Sequence, residues 1–291
     1  MIYRIVSSIV LALVSSLLPL TVQAAQPKDR GLSISPLRQE MTASAITPTA
    51  GSFTITNLTE KVMKVNLSVR QFSVSDYDYD YVFRTPEYDW IALRNTRVDL
   101  EPRKSMKIAY DVTIPAGTTP GGYYFALFAS TDIVGPGLPG TVQAASLLYM
   151  RVEGKLVRTS VLQNDSIPWL VTGSEIPYKF DVKDTGNVDF SAYFYGQVQG
   201  LFGIYPEVGT SHLLMPGAIR TVEGAVPSPV LPGIYRVTYG YKVDFAQIIT
   251  SKTAYVLFIP PWSVAALVFA LLAGRWLWQQ KKKRSEPKKV S

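Results

Sequence analysis

The sequence contains no cysteine and only one histidine, His212. Without cysteine no disulfide can form, so an exported body has to be held together by its apolar cores. The lack of cysteine also favours a bacterial protein over a eukaryotic ectodomain. A histidine-based triad would need His212, and no G-x-S-x-G elbow is present to supply its serine. Zinc sites of the usual kinds need more histidine or cysteine.

These absences predict a protein that is not an enzyme and that needs no cofactor. The sequence also has no glycine-rich loop of the kind that cradles phosphate groups. A hydrolase built on two carboxylates stays open, because such a pair has no fixed spacing in sequence.

The positive charge of the chain belongs to one end of it. The formal net charge is +7, but residues 259–291 hold seven Lys or Arg against the single Glu286. The stretch 25–258 holds 21 basic and 21 acidic residues and is therefore neutral. Binding of nucleic acid needs a basic surface on the folded domain, so we expect no nucleic-acid partner.

The first residues have the pattern of a secretory signal. Arg4 precedes the apolar run 5–22, and "VQA" at 22–24 offers small residues to a signal peptidase. A short apolar run before such a site predicts a removable signal peptide over residues 1–24.

The apolar stretch 259–278, "IPPWSVAALVFALLAGRWLW", predicts a transmembrane helix. It has the roughly 20 residues needed to cross the hydrocarbon core of a bilayer. A basic tail over 279–291 follows and predicts a cytoplasmic C-terminus, which places the body outside a cell membrane crossed once. The predicted anchor residues are the aromatic and basic side chains Trp262, Arg275, Trp276, Trp278, Lys281, Lys282, Lys283 and Arg284.

Between the two ends the sequence shows almost no helical periodicity. Short runs rich in Val, Ile, Tyr, Phe and Thr alternate with clusters of Gly and Pro, as in the two strands and polar turn of residues 51–72. This pattern predicts an all-β ectodomain of antiparallel sandwiches.

An internal repeat predicts two tandem immunoglobulin-like β-sandwiches. "PAGTTPGGY" (115–123) and "PSPVLPGIY" (227–235) share Pro, Pro, Gly and Tyr at the same offsets. We place the first sandwich at 26–153 and the second at 154–258. The first copy carries an insertion at about 73–97, and loops added to a rigid sandwich are common places for binding.

The insertion contains "VSDYDYDYVF" at residues 74–83. The acidic residues Asp76, Asp78, Asp80 and Glu87 match the ligand spacing of a calcium loop, but Tyr81 stands where that loop needs glycine. An extended strand is the alternative, with aspartates on one face and Tyr77, Tyr79 and Tyr81 on the other. Together with Trp90, these six residues are the candidates for contact with a protein or a sugar surface. The other interpretation is that the tyrosines pack on the sandwich and the aspartates keep an edge soluble.

Several motifs give the chain a resemblance to the WxL-interacting proteins of Gram-positive cell surfaces. They are "ISP" (34–36), Asn57, Trp90 with Ile91, "IPAGTTPGGYYFAL" (114–127), "LMPGAIR" (214–220) and the terminal "PPW" (260–262). The resemblance implies a peptidoglycan-binding type of first domain, a partner-binding type of second domain and a membrane anchor. It implies a scaffold or adhesion protein that binds cell-surface proteins and cell-wall polymer.

A second resemblance, to periplasmic pilus chaperones, rests on the opening "ISP" and the two sandwiches. It implies an assembly factor that offers a strand edge to subunits. Those chaperones are soluble, so the predicted membrane anchor counts against this resemblance.

Overall fold

The computed structural model describes residues 31–45, 47–133, 140–201, 203–243 and 247–285. The predicted signal peptide and residues 286–291 of the basic tail lie outside these ranges. The described residues form two β-sandwiches in tandem, followed by a C-terminal helix. The predicted all-β fold with two sandwiches and an apolar C-terminal helix is therefore confirmed.

The first sandwich contains ten strands among the described residues. They are β1 (Leu32–Ser35), β2 (Arg38–Ala43), β3 (Thr49–Asn57), β4 (Met63–Val74), β5 (Tyr81–Arg84), β6 (Ile91–Leu93), β7 (Arg97–Leu100), β8 (Ser105–Val112), β9 (Gly121–Ile133) and β10 (Gly140–Val152). One sheet has the order β1-β3-β8-β6, and the other has the order β2-β10-β9-β4-β5 with β7 also paired to β4. The chain thus crosses from one sheet to the other between β1 and β2.

The second sandwich repeats this plan. Its strands are β11 (Ser160–Ser166), β12 (Leu170–Val171), β13 (Glu175–Asp184), β14 (Phe190–Gly200), β15 (Gly203–Ile204), β16 (Val208–Leu214), β17 (Ile219–Pro227), β18 (Gly233–Val243) and β19 (Gln247–Phe258). The sheets have the orders β11-β13-β17 and β12-β19-β18-β14-β15, with β16 also paired to β14. In both copies the second strand pairs in parallel with the last one. The two Pro-Gly-Tyr motifs lead into β9 and β18, which occupy equivalent positions.

Alternating side chains build a separate core in each copy. In β13 every second residue from Ile176 to Asp184 is buried, as the period of two in a strand requires when one face meets the other sheet. Close packing also leaves no room for a side chain at one glycine position in each copy. A Cβ on Gly51 would lie 2.2 Å from the ring of Tyr110, and one on Gly224 would lie 2.4 Å from the ring of Tyr178.

A buried asparagine closes the turn after β3. Asn57 is fully buried, and its side-chain amide donates to the carbonyl oxygens of Lys61, Leu100 and Glu101 at 2.8–3.1 Å. Its Oδ1 accepts from the backbone N–H and the hydroxyl of Thr59. One side chain therefore satisfies polar groups that would otherwise be buried without partners, which is costly.

The helix α1 (Pro261–Ser285) begins three residues after β19 ends. Its segment Pro261–Gln280 is long and apolar enough to cross a membrane, and none of that segment is buried against the sandwiches. Trp262 lies near its start, and Arg275, Trp276 and Trp278 lie near its end. The orientation of the helix in a membrane stays a prediction.

Replacing Asn57 by alanine should lower the free energy of unfolding by roughly 2–4 kcal/mol, because several buried carbonyl groups lose their donor. Urea unfolding of the full chain in detergent micelles, followed by circular dichroism, measures this change. Asn66→Ala is the control, since the exposed Asn66 side chain bonds only Arg97 and Asn66→Ala should cost less than about 0.5 kcal/mol. Equal effects of the two substitutions would contradict the role given to Asn57.

Candidate functional site

The Asp-Tyr segment forms the turn between β4 and β5. Ser75 N–H donates to the carbonyl oxygen of Asp80, and Asp80 N–H donates to the hydroxyl of Ser75 at 3.0 Å. Tyr77 and Tyr79 have φ values of 68° and 62°, in the left-handed region that residues with a side chain rarely adopt. The predicted two-faced strand is therefore wrong: the segment reverses direction, and its alternating letters do not alternate between two faces.

The backbone of this turn is paired to the second sandwich, which explains its unusual conformation. Tyr77 N–H donates to the carbonyl oxygen of Ile219 at 2.7 Å, and Thr221 N–H donates back to the carbonyl oxygen of Tyr77 at 3.3 Å. The Asp76 Oδ1 atom accepts from Ile219 N–H at 2.8 Å. The turn thus adds a short parallel bridge to the start of β17. These inter-domain bonds offset the cost of the left-handed residues.

Tyr79 reaches furthest into the contact between the sandwiches. Its hydroxyl accepts from Met215 N–H, and the Arg220 guanidinium lies over its ring at 4.3 Å from the centroid. The Arg220 side chain is held in place by a bond to the carbonyl oxygen of Leu213 at 2.7 Å. Burial raises the pKa of the Tyr79 hydroxyl, so the group stays neutral and keeps its hydrogen bond.

The other members of the segment are more exposed. Tyr81 packs its ring edge-on against Phe72 and leaves about half of its surface in solvent. Tyr77, whose backbone is engaged, exposes 49% of its surface, and Asp78 and Asp80 are exposed. Tyr77, Asp78, Tyr81 and Asp80 are therefore accessible to a partner, whereas Tyr79 is half-buried between the sandwiches and the exposed Asp76 is engaged by Ile219.

The four residues of the calcium template do not form a cluster. Asp76 Oδ1 is bonded to the second sandwich, and Glu87 lies beyond β5, where its N–H donates to Gln71. Among the residues that the structure describes, no group of three His, Asp or Glu side chains could hold a metal ion. His212 lies on β16, where its Nε2 atom is 2.9 Å from the hydroxyl of Thr210.

Trp90 lies in the first core and is not a surface contact. Only 7% of its surface is exposed, and its ring stacks on Tyr88 and contacts Tyr123, each at 4.6 Å between centroids. Trp90 is among the candidates that the sequence predicts for contact with a partner. The predicted contact of Trp90 with a partner is therefore wrong, because the large aromatic side chain is buried in the core.

A buried polar cluster forms the second part of the contact between the sandwiches. The Tyr124 hydroxyl donates to Asp189 Oδ1 at 3.2 Å and accepts from Asp189 N–H at 2.9 Å. Arg151 donates to the other oxygen of Asp189 at 3.2 Å, so the 1% exposed carboxylate is both paired and hydrogen-bonded. Nearby, the Asn187 side chain donates to the carbonyl oxygens of Pro120 and Lys155 and so holds the linker.

Asp184 is buried beside this cluster with one oxygen unpaired. Its Oδ1 atom accepts from Gly186 N–H at 2.7 Å, while Oδ2 has no hydrogen-bond partner within the part of the chain that the structure describes. Burial, together with the charge of Asp189, raises the pKa of the Asp184 carboxyl to about 7. The folded chain therefore favours a protonated Asp184 at pH values at which the unfolded chain has lost that proton.

An open strand edge lies on the first sandwich, and the sequence did not single it out. β2 covers β10 only from Leu147 to Val152. Among the described residues, no strand pairs with Gly140 to Ala145 on that side of β10. The one signal in the sequence is that "GTVQAA" (140–145) carries no charge, whereas exposed edges are commonly protected by charged residues.

Comparison with known proteins assigns no family to the chain. No family model matches it, and no curated protein matches it. Among solved structures it is similar to the class 5 fimbriae chaperone CfaA, with 8% identity over 78% of this chain and 99% of that chain and a TM-score of 0.45. It is also similar to a chain of the CsuC–CsuE chaperone–tip adhesion subunit complex of Acinetobacter baumannii, with 9% identity, 79% and 99% coverage and a TM-score of 0.40.

The E. coli chaperone DraB gives 12% identity, 78% and 97% coverage and a TM-score of 0.36. These likenesses are too distant to carry an argument about function. The description of the fold rests on the strands and sheets of this chain.

Tyr79→Phe should lower the free energy of unfolding by roughly 1–3 kcal/mol, because the buried N–H of Met215 loses its acceptor. Amide hydrogen exchange of residues 213–221, measured by mass spectrometry on the full chain, should become faster. Tyr77→Phe is the matched control, since Tyr77 binds the second sandwich through its backbone and should leave this exchange unchanged. Unchanged exchange in Tyr79→Phe would show that the hydroxyl does not hold the interface.

Asp184→Asn should remove a pH dependence from the stability of the chain. Because the folded pKa of about 7 lies above the value of roughly 3.9 expected for an unfolded Asp, the contribution of Asp184 to the unfolding free energy is greatest below about pH 4 and falls between pH 4 and pH 7. The fall should amount to roughly 2–4 kcal/mol, and Asn, which mimics the neutral form, should abolish it. Urea unfolding at pH 5 and pH 8 measures the difference. The exposed Asp99→Asn should keep the wild-type fall, and a fall that persists in Asp184→Asn would contradict the assignment.

Proposed function

We propose that the chain is a membrane-tethered, non-catalytic protein that binds an extended segment of another protein. The segment is added as a strand on the free edge of β10 in the first sandwich. The observation that carries this proposal is the outer side of Gly140 to Ala145, which no strand of the described residues covers beyond the point where β2 stops pairing with β10. Adding a strand to such an edge is a common way for proteins to recognise extended peptides.

The register of β10 identifies the groups that would bind the partner. Leu147 N–H donates to Leu37 on the outer side of β10, so the backbone groups of every second residue before it point to the same side. These are Ala145, Gln143 and Thr141. Within the described part of the chain, no strand pairs with their N–H and C=O groups, so these groups can form a ladder, while the residues between them bond β9.

The surroundings of this edge suit a partner with alternating apolar side chains. Val142 and Ala144 are partly buried and pack against the first core, and Ala145 packs against a second apolar cluster that includes Phe72 and Tyr149. At this level β1 lies beside β10 but pairs with β3, because the chain crosses from one sheet to the other between β1 and β2. An added strand would place alternate side chains against these apolar surfaces.

The equivalent strand of the second sandwich is better protected. Lys252 on β19 forms an ion pair with Asp165 of the neighbouring β11, so a charged pair lies across that edge. Charged residues of this kind discourage the pairing of an edge strand with another chain. The difference between the two copies favours β10 as the binding edge.

The position of α1 indicates which of the two sandwiches lies further from the membrane. The turns that contact the first sandwich lie at one end of the second sandwich, around Asp184 and Ile219. The helix α1 follows β19 at the other end of the second sandwich. If α1 crosses the membrane with its basic end inside, the first sandwich is the outer domain. We propose a location on the outer face of a bacterial cell membrane, with a cell-surface or exported protein as the partner.

The test uses Gln143→Pro, which removes one N–H from the free edge without removing a donor to β9. A photoreactive amino acid at Thr141 of the full chain should cross-link to an extended segment of a partner in the cell envelope. Mass spectrometry should map the cross-link to a stretch with alternating apolar residues. Gln143→Pro should reduce the yield at least tenfold.

Thr253→Pro is the matched control, because Leu257 N–H donates to Trp169 as Leu147 N–H donates to Leu37. Thr253 therefore has the place on β19 that Gln143 has on β10, and its substitution should leave the cross-link intact. Equal yields with and without Gln143→Pro would overturn the proposal. Retention of the Gln143→Pro variant on cell-wall polymer would instead favour the wall-binding scaffold that the first resemblance implies.

A further inference from the structure

Exposed apolar side chains gather at the end of the second sandwich from which α1 departs. In the larger sheet, Gly233 lies opposite Phe258, Gln199 lies opposite Arg236, and Leu170 lies opposite Leu257. The short strand β12, the start of β18 and the ends of β14 and β19 therefore lie at one end of the sheet. Six large apolar residues there, each between 62% and 96% exposed, are called the apolar rim: Trp169, Leu201, Ile204, Val230, Ile234 and Tyr255.

The apolar rim is unusual for a surface in water. Single exposed apolar residues are common in soluble proteins, but a group contributed by several separate elements marks an interaction surface. The rim includes a Trp and a Tyr, which favour the headgroup layer of a bilayer because one part of each ring system is apolar and another is polar. The exposed Arg236 lies on the same sheet end and suits a lipid phosphate.

The link between the rim and the helix is short and stiff. Only residues 259 and 260 separate β19 from α1, so Phe258 and Pro261 are at most about 11 Å apart. Ile259 N–H still donates to Val171 of β12 at 2.9 Å, and Ser263 N–H donates to the carbonyl oxygen of Pro260 at 2.9 Å. The sheet therefore continues almost directly into the helix, and the rim cannot be far from the surface that the helix enters.

We propose that the apolar rim lies in the outer headgroup layer of the phospholipid bilayer that α1 spans. The second sandwich then rests on the membrane and is not held above it by a flexible stalk. This inference rests on the proposed tether, and it adds a second, peripheral contact with lipid. The exposed Glu175, at the same end of the smaller sheet, stays on the water side of that contact.

The absence of cysteine permits a direct test with single labelled sites in the full chain. Val230→Cys and Ile234→Cys report on the rim, and Phe269→Cys reports on the middle of α1. Val161→Cys is the matched control, an exposed apolar site of the same domain. It pairs with Lys183, eight residues along β13 from Glu175, which places it about 27 Å from the rim.

Each variant is labelled with an environment-sensitive fluorophore and reconstituted in vesicles of phosphatidylethanolamine and phosphatidylglycerol. Nitroxides on the lipid headgroups should quench the labels at Val230→Cys and Ile234→Cys at least threefold more than the label at Val161→Cys. Nitroxides in the acyl chains should quench the label at Phe269→Cys. Val230 lies in the turn before β18 and Ile234 lies on β18, and agreement between the two labels guards against a local effect of either one.

One outcome would be quenching at Phe269→Cys while the rim labels are quenched no more than the label at Val161→Cys. That result would overturn the location of the rim in the headgroup layer but would leave the membrane-spanning helix in place. Absence of quenching at Phe269→Cys would refute the tether. Rim labels still quenched in that case would mean that the sandwich binds lipid without a spanning helix, which contradicts the arrangement proposed.

Discussion

The fixed contact between the two sandwiches is the constraint on which the rest of the molecule depends. Without disulfides, two small domains on a short linker would be free to move, and interfaces within a chain are commonly modest and polar. Here the buried Asp189 carboxylate joins Tyr124 and Arg151 of the first sandwich to the second. The Asp-Tyr turn adds a backbone bridge through Tyr77 and Ile219, and Tyr79 and Tyr124 belong to the same apolar cluster as Met215. The polar cluster, the backbone bridge and the apolar cluster together hold the two sandwiches against each other.

That fixed geometry connects the two proposed surfaces. The apolar rim lies at the end of the second sandwich from which α1 departs, and the proposed binding edge of β10 belongs to the first sandwich, on the other side of the contact. A rigid contact would hold the binding edge at a set distance from the bilayer. The buried Asp184 gives this contact a dependence on pH, because an unpaired buried carboxyl favours its neutral form.

The Asp-Tyr segment shows where reasoning from sequence failed and why. Alternation of Asp and Tyr predicts a two-faced strand only if the backbone is extended. The left-handed φ values of Tyr77 and Tyr79 depend on hydrogen bonds to residues more than 130 positions away in the chain. Local preference is weak compared with such contacts, so tertiary structure decides the conformation. The predicted accessibility of Trp90 was wrong for a related reason, since the exposure of a side chain depends on which distant residues pack against it.

The sequence alone determined the features that depend on composition and local period. These are the two sandwiches, the repeat that relates them, the apolar C-terminal helix and the neutral body. The alternating burial of a strand and the continuous apolar run of a helix can both be recognised in the sequence itself. Only the tertiary structure decided that Tyr79 joins two domains, that Asp184 is buried with its Oδ2 atom unpaired, and that no strand of the described residues pairs with the outer side of Gly140 to Ala145. Each of these depends on which distant segments meet, and pairing between distant segments leaves no periodic pattern in a single sequence.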